Sequence, residues 1–192
     1  MEEREKADLR SMDEQQMIEL AVEYGEKTFR GRQMFEWIHK KQVRELGEMS
    51  NVPKAFLEKI SERYIVSGVR IVEKQVSARK DAAKYLFSLA DGNLVESVWM
   101  KYRHGNSVCV SSQVGCRMGC TFCASTLTGL VRNLTAGEIL SQIYEIQRET
   151  GQRVSNVIVM GMGEPLDNFD HLLSFIHLLS HEKGIRISQR NI

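Results

Sequence analysis

Apolar residues recur every three or four positions in three stretches near the start of the chain. Met17, Ile18, Ala21 and Val22 form one stripe, Met34, Phe35, Trp37 and Ile38 a second, and Phe56, Leu57 and Ile60 a third. That period predicts three short amphipathic helices. Ser11-Met12-Asp13-Glu14 reads as a capping box for the first, with Ser11 as N-cap and Glu14 reaching back to it, and Tyr24-Gly25 reads as its stop. Pro53 opens the third. Residues 1–65 are therefore expected to form a small all-α helical domain with a modest core of its own.

From residue 66 the period shortens. Val69, Ile71 and Val76 suggest an extended run, and Tyr85, Phe87 and Leu89 alternate with Lys84, Leu86 and Ser88 as in a half-buried strand. Asp91-Gly92 is a hairpin signal, with Leu94 to Tyr102 as the returning strand. His104-Gly105-Asn106 turns the chain again into a strand over Ser107 to Ser111. Residues 66–108 thus read as a β-hairpin linker. Within it Glu96 shares a strand face with Leu94, Val98 and Met100. If that face is inward, the carboxylate is desolvated and its pKa rises, which suits acid–base work; if Val95, Ser97 and Trp99 point inward, Glu96 is solvated.

Beyond residue 109 strands and helices alternate. Thr135 and Glu138 mark a helix start, Ile139, Ile143 and Ile146 carry its stripe, and Gly151 ends it. Val154 to Met160 is a mainly apolar run, expected to be a strand buried on both faces. A further helix carries Leu172, Leu173, Phe175, Ile176, Leu178 and Leu179 and stops near Gly184, and Ile185 to Ile192 is expected to lead into another strand. The β–α–β–α–β order predicts an α/β fold, the start of an α/β barrel or an open sheet with parallel strands and right-handed crossovers.

The chain of 192 residues is 42% apolar and 27% charged with a net charge of +1, as for an ordinary globular protein and unlike a disordered one. There is no internal repeat, low-complexity tract or run of membrane-spanning length, and the charged stretch from Met1 to Arg10 is no signal peptide, so no membrane association and cytoplasmic residence are expected. Charge is locally uneven. Lys27, Arg30, Arg32, Lys40, Lys41 and Arg44 are interrupted by the single anion Glu36, which is either a phosphate-contacting face or a solvated helix surface. The five histidines show no metal spacing.

The cysteines change the picture most. All four fall within the fifteen positions from Cys109 to Cys123. Cys116, Cys120 and Cys123 form C-x-x-x-C-x-x-C, a spacing that lets one loop curl its thiolates around a single inorganic centre. Three thiolates on a cuboidal iron–sulfur cluster leave one iron open to a small-molecule ligand. A zinc site with Cys109 as fourth ligand is the alternative, although zinc ligands usually come as two close pairs; disulfides fit less well in a chain with no mark of secretion. Downstream, Gly161-Met162-Gly163-Glu164-Pro165 follows the predicted buried strand. Its glycines would let backbone approach a ligand, and its carboxylate or carbonyls would accept from an ammonium group; the plain alternative is a Gly-Pro turn.

With Phe122 before the last cysteine and G-M-G-E-P after it, these motifs resemble those of the radical S-adenosylmethionine enzymes. More narrowly, S-V-C-V-S-S-Q-V-G-C-R-M-G-C-T-F-C, V-R-N-L-T-A-G-E-I, V-M-G-M-G-E-P-L-D-N and the earlier F-R-G-R-Q-M-F-E-W-I-H-K-K resemble the dual-specificity rRNA and tRNA adenine-C2 methyltransferases. The resemblance implies that residues 109–192 are the first part of a partial (β/α) radical-SAM barrel. It implies that Cys116, Cys120 and Cys123 hold a [4Fe-4S] cluster whose open iron chelates S-adenosyl-L-methionine, and that Gly163 and Glu164 bind that cofactor near its amino group. Glu96 then corresponds to an acid–base glutamate and Cys109 to a catalytic cysteine that resolves a covalent enzyme–RNA intermediate through a disulfide. The N-terminal helices would be an RNA-contacting accessory domain, with 23S rRNA and tRNA as partners and a flavodoxin-like protein as electron donor. In that family a methylated cysteine near the C-terminus delivers the carbon; this sequence does not contain it, so the chain alone is expected to be inactive. Related enzymes that methylate C8 of the same adenine share these cysteines, and a zinc-stabilised RNA-binding module is the non-catalytic alternative.

Overall fold

A short parallel ladder of β1 (Ala7–Asp8) on β2 (Tyr64–Ile65) ties the two ends of the helical region together. The structure is a computed structural model and describes residues 6–192, so part of the charged stretch from Met1 to Arg10 lies outside the described residues. Between β1 and β2 lie α1 (Glu14–Glu23), α2 (Thr28–His39) and α3 (Lys54–Ser61). The expected stripes face inward: Met17 and Ala21 from α1, Met34, Phe35 and Ile38 from α2, and Phe56, Leu57 and Ile60 from α3 are buried. Val22 is exposed, and Leu20 takes the inward place instead.

The N-cap of α1 is Asp13, not Ser11. Asp13 Oδ1 accepts from the Gln16 N–H at 2.8 Å, and Gln16 Oε1 accepts from the Asp13 N–H at 2.9 Å. Ser11 is already engaged, because its hydroxyl donates to Asp8 Oδ2 and accepts from the Gly137 N–H, both at 2.9 Å. One competing partner, Gly137, is remote in sequence, and the local pattern could not show it.

The helices share their core with the rest of the chain. Arg10 is 1% exposed; Nη1 donates to Ser141 Oγ at 2.6 Å, Nη2 donates to the Val43 carbonyl at 2.7 Å, and the guanidinium lies over the Tyr144 ring. His39 is fully buried with Nδ1 3.0 Å from Tyr144 Oη. Burial, and then the charge of Arg10, push the His39 pKa down to about 3. The imidazole is therefore neutral in the fold and must stay so, whereas an unfolded histidine gains its proton near pH 6.5. Between those values the unfolded state binds more protons, so stability is full above pH 6.5 and falls with acidification by up to about 1.4 kcal/mol per pH unit. Acid denaturation of His39→Phe is expected to lose this slope; an unchanged slope would place the acid sensitivity elsewhere.

The main sheet runs β3 (Arg70–Val76), β4 (Ala82–Ser88), β5 (Leu94–Tyr102), β6 (Gly105–Cys109) and β9 (Val154–Ile158). The first four pair antiparallel, and β6 pairs parallel with β9. The hairpin strands are thus continuous with the strands of the α/β part, in one open mixed sheet. Among the described residues the sheet does not close into a barrel. Two more strands, β7 (Gln113–Gly115) and β8 (Leu130–Asn133), form a small antiparallel pair outside it.

Helix α4 (Ala136–Thr150) has the expected Thr135–Glu138 capping box and ends at Gly151 in the left-handed region with φ 64°. It covers the face of Val95, Ser97 and Trp99, where Ser97 Oγ donates to Gln142 Oε1 at 2.6 Å. Helix α5 (Phe169–Ser180) packs beside it through Leu172, Phe175, Leu178 and Leu179. Strand β9 is shorter than expected and buried on one face only. Val154 and Val157 are inside, Ile158 is half-buried, and Met160 is 79% exposed. Helices cover one side of the sheet, so an apolar run buried on both faces has no second layer to meet among the described residues. No strand forms over Ile185 to Ile192, where Ile187 is buried and Gln189–Asn191 makes a 3-10 turn. Among the described residues no helix is long and apolar enough to cross a membrane.

Candidate cluster and cofactor site

Parallel neighbours send their carboxyl ends to one edge of a sheet, and β6 and β9 do so here. The chain leaving β6 enters β7, and residues 116–129 form the tip between β7 and β8. All three cysteines of the triplet are on this tip. The hairpin that carries it is absent from the sequence reading, because strands of three and four residues are too short for an alternation to register. The available signal was the pair of glycines at its base. Gly115 has φ 73°, a Cβ there would collide with the Gly129 carbonyl oxygen, and that oxygen accepts from the Cys116 N–H at 3.0 Å.

Along the tip, Gly119 makes a turn at φ 71°, the Cys123 N–H donates to the Cys120 carbonyl at 3.1 Å, and Thr126 Oγ1 donates to the Cys123 carbonyl at 2.8 Å. Cys116 is buried, Cys123 half-buried and Cys120 exposed, and all four cysteines are free thiols. Among the described residues no three His, Cys, Asp or Glu side chains converge as a metal site. The donor set nevertheless suits an iron–sulfur centre: thiols alone, on one loop, beside the exposed apolar side chains of Met118, Phe122 and Leu127.

Cys109 lies apart from the triplet, in β6. It pairs with Val98 of β5 on one side and Ile158 of β9 on the other. Glu96 is two residues before Val98, so Glu96 and Cys109 are on the same sheet face, the one that α4 does not cover. Partial burial pushes the Cys109 thiol pKa up. Of the two phases open to Glu96, the structure takes the solvated one. The Glu96 side chain is 45% exposed and its Oε1 lies 2.5 Å from Lys84 Nζ, because the inward face is that of Val95, Ser97 and Trp99.

The G-M-G-E-P segment leaves β9 and folds back onto the chain leaving β6. Ser112 and Gln113 N–H groups donate to the Met162 carbonyl at 2.9 and 3.2 Å, and the Gly161 N–H donates to the Val110 carbonyl at 3.0 Å. Side chains at Gly161 and Gly163 would collide with Ser111 and with Gln113, and Gly163 has φ 102°. These glycines let backbone approach backbone, a demand the sequence could not separate from approach to a ligand. Glu164 is half-buried at the start of a 3-10 turn, where its Oε1 accepts from the Leu166 N–H at 3.1 Å.

Sequence reasoning passed over Ser111, Gln113 and Gln142, which hold these pieces together. Ser111 Oγ donates to the Glu96 carbonyl at 2.6 Å and accepts from the Met162 N–H at 2.9 Å. Gln142 Oε1 accepts from the Ser111 N–H at 2.9 Å, and its Nε2 donates to the Ser111 carbonyl at 3.0 Å. Such polar residues carry no periodic signal, and only their burial marks them. The basic stripe is partly spent within the fold: Arg44 pairs with Glu145, Arg32 with Glu14 and Arg30 with Glu26, while Lys41 lies over the Trp37 ring.

Residues 110–190 match the model of the radical SAM superfamily, and residues 7–66 that of the ribosomal RNA large subunit methyltransferase N-terminal domain. The match over residues 110–190 makes this a protein of the radical SAM class. The chain is 50% identical over 188 residues to a probable dual-specificity RNA methyltransferase RlmN of Lachnoclostridium phytofermentans, covering 98% of this chain and 53% of that one. A protein of the same description from Lachnospira eligens is 52% identical over 185 residues, covering 96% and 53%. The crystal structure of a radical SAM methyltransferase from Sphaerobacter thermophilus superposes with a TM-score of 0.88 at 32% identity, over 97% of this chain and 55% of that one. The chain belongs to the RlmN family. It spans about half the length of the curated relatives it matches.

Proposed function

We propose that this chain is the cluster- and cofactor-binding part of a radical S-adenosyl-L-methionine RNA methyltransferase that modifies C2 of adenine in 23S rRNA and tRNA. The observation that carries the reading is the meeting of the cysteine loop and G-M-G-E-P at one sheet edge, above the face that bears Cys109 and Glu96. In this reading Cys116, Cys120 and Cys123 hold a [4Fe-4S] cluster. Gly163 and Glu164 receive the methionine end of the cofactor, with the Glu164 carboxylate accepting from its ammonium group. When bound, cluster and cofactor would supply radical chemistry, which an adenine C2 requires because that carbon is no nucleophile. Glu96 would move the proton of the modified base, with Lys84 as its counter-ion. Cys109 would resolve the covalent RNA adduct together with a cysteine that this sequence does not contain. The helical domain would contact RNA through the cations that remain toward solvent, in the cytoplasm, with a flavodoxin-like electron donor.

The test is anaerobic reconstitution of the full gene product with iron and sulfide, followed by mass spectrometry of incubated RNA. The reading expects bound iron and sulfide, and 2-methyladenosine that depends on S-adenosylmethionine and reductant. Formation of 8-methyladenosine would move the protein to the C8 enzymes. Bound zinc without sulfide, with RNA affinity independent of reductant, would leave a binding module in its place.

A further inference from the structure

Gln113 is fully buried, and its amide makes three hydrogen bonds, one to β8 and two to the turn that follows Gly163. Nε2 donates to Asn133 Oδ1 of β8 at 2.8 Å and to Asp167 Oδ2 at 3.0 Å, and Oε1 accepts from the Glu164 N–H at 2.8 Å. Asp167 uses its other oxygen, Oδ1, to accept from Arg117, the residue that follows Cys116. One amide and one carboxylate thus link both strands of the cysteine hairpin to the turn that carries Glu164. Local folding of either loop does not need these bonds: the hairpin has its own ladder, and the turn begins with the Glu164 carboxylate. Together with the backbone bonds to the Met162 carbonyl, they set the position of one loop relative to the other.

We propose that Gln113 and Asp167 are positioning residues that fix the cysteine loop against the G-M-G-E-P turn, so that cluster and cofactor amino group are held at a set separation. The inference rests on the functional reading above. A carboxylate at position 113 keeps the shape and the acceptor for the Glu164 N–H but loses both donors, and it faces the Asp167 carboxylate across a short gap. Replacing Asp167 by asparagine in the same chain returns a donor to that gap from the other side. The pair therefore predicts damage by Gln113→Glu and recovery in Gln113→Glu/Asp167→Asn, a sign pattern that general loss of stability does not produce.

The experiment uses the full gene product, reconstituted anaerobically. Iron and sulfide are measured, and the electron paramagnetic resonance signal of the reduced cluster is titrated with S-adenosylmethionine. Gln113→Glu is expected to keep its iron and sulfide, because the cysteines are untouched. It should need roughly tenfold more S-adenosylmethionine for the half-maximal spectral change, the size of one lost charge-assisted hydrogen bond. The double variant should recover most of that loss. Titration of Gln113→Glu at the wild-type concentration, or a double variant no better than the single, overturns the proposal. If the wild-type protein takes up no iron and sulfide, the functional reading fails and the positioning role is judged by hydrogen exchange. Gln113→Glu should then deprotect the amides of residues 116–129 and 162–167 together, with protection regained in the double variant; unchanged protection overturns it.

Discussion

Cys120→Ala is expected to abolish the cluster while leaving the fold intact. Cys120 is the exposed member of the triplet, on a hairpin tip whose backbone bonds do not use its side chain. Its removal should shift stability by no more than about 0.5 kcal/mol, the usual scale for surface substitutions. Bound iron in the anaerobically reconstituted full gene product should fall from about four atoms per chain towards zero, since a cuboidal cluster held by two thiolates is not retained. Cys109→Ala is the control: Cys109 is a β6 residue paired on both sides in the main sheet, so iron and sulfide should stay at the wild-type level. Equal loss of metal from both variants would instead indicate a centre with four cysteine ligands, as a zinc site requires. Iron, zinc and sulfide analysis beside a thermal melt separates these results. Cys116→Ala would be a poorer probe, because Cys116 is buried and its loss mixes packing with ligation.

Gly115→Ala should be the most damaging single-methyl change at this site. The backbone there is at φ 73°, which costs an L-residue about 1–2 kcal/mol. The added Cβ would also meet the Gly129 carbonyl oxygen, itself the acceptor of the Cys116 N–H. Moving that oxygen away opens the base of the hairpin, and the overlap should add about 1–3 kcal/mol to the strain. A drop of about 2–5 kcal/mol in unfolding free energy is expected from denaturant titration, with failure to assemble the cluster even where the protein remains folded. Gly92→Ala is a useful contrast. Gly92 also has a positive φ, but nothing lies within 4 Å of its missing side chain, so only the backbone cost of about 1–2 kcal/mol should be seen. Equal effects at the two positions would show that the approach to Gly129 is not tight in solution.

Much of the architecture was legible because it obeys short periods. The stripes of α1, α2 and α3, the Thr135 cap of α4 and the Asp91-Gly92 turn each follow from residues within a few positions of one another. The misreadings share the opposite property. Ser11 lost its capping role to Asp8 and Gly137, one of them on a helix far along the chain. The composition of Val154 to Met160 predicts a strand buried on both faces, but only α4 and α5 lie against the sheet here, on one side. Glu96 had two phases open to it, and the choice was made by which face α4 covers.

The division at the site follows the same line. Sequence alone determined the chemistry on offer: three thiols at a spacing that one loop can gather, a lone fourth thiol ahead of them, and a glycine-rich acidic turn. Ligand type and spacing are covalent properties of the chain, so they can be read without coordinates. Only the tertiary structure decided the placing. It put Cys109 in β6 and the triplet on the tip between β7 and β8, set Cys109 on one face with Glu96 through strand register, and left that glutamate ion-paired with Lys84 rather than buried. It also showed that Gly161 and Gly163 are needed where two backbones meet, and that buried amides of Gln113 and Gln142 join segments that no periodicity connects. Hydrogen bonds between distant segments depend on where the whole chain brings donors and acceptors together, and nothing local in the residues records that.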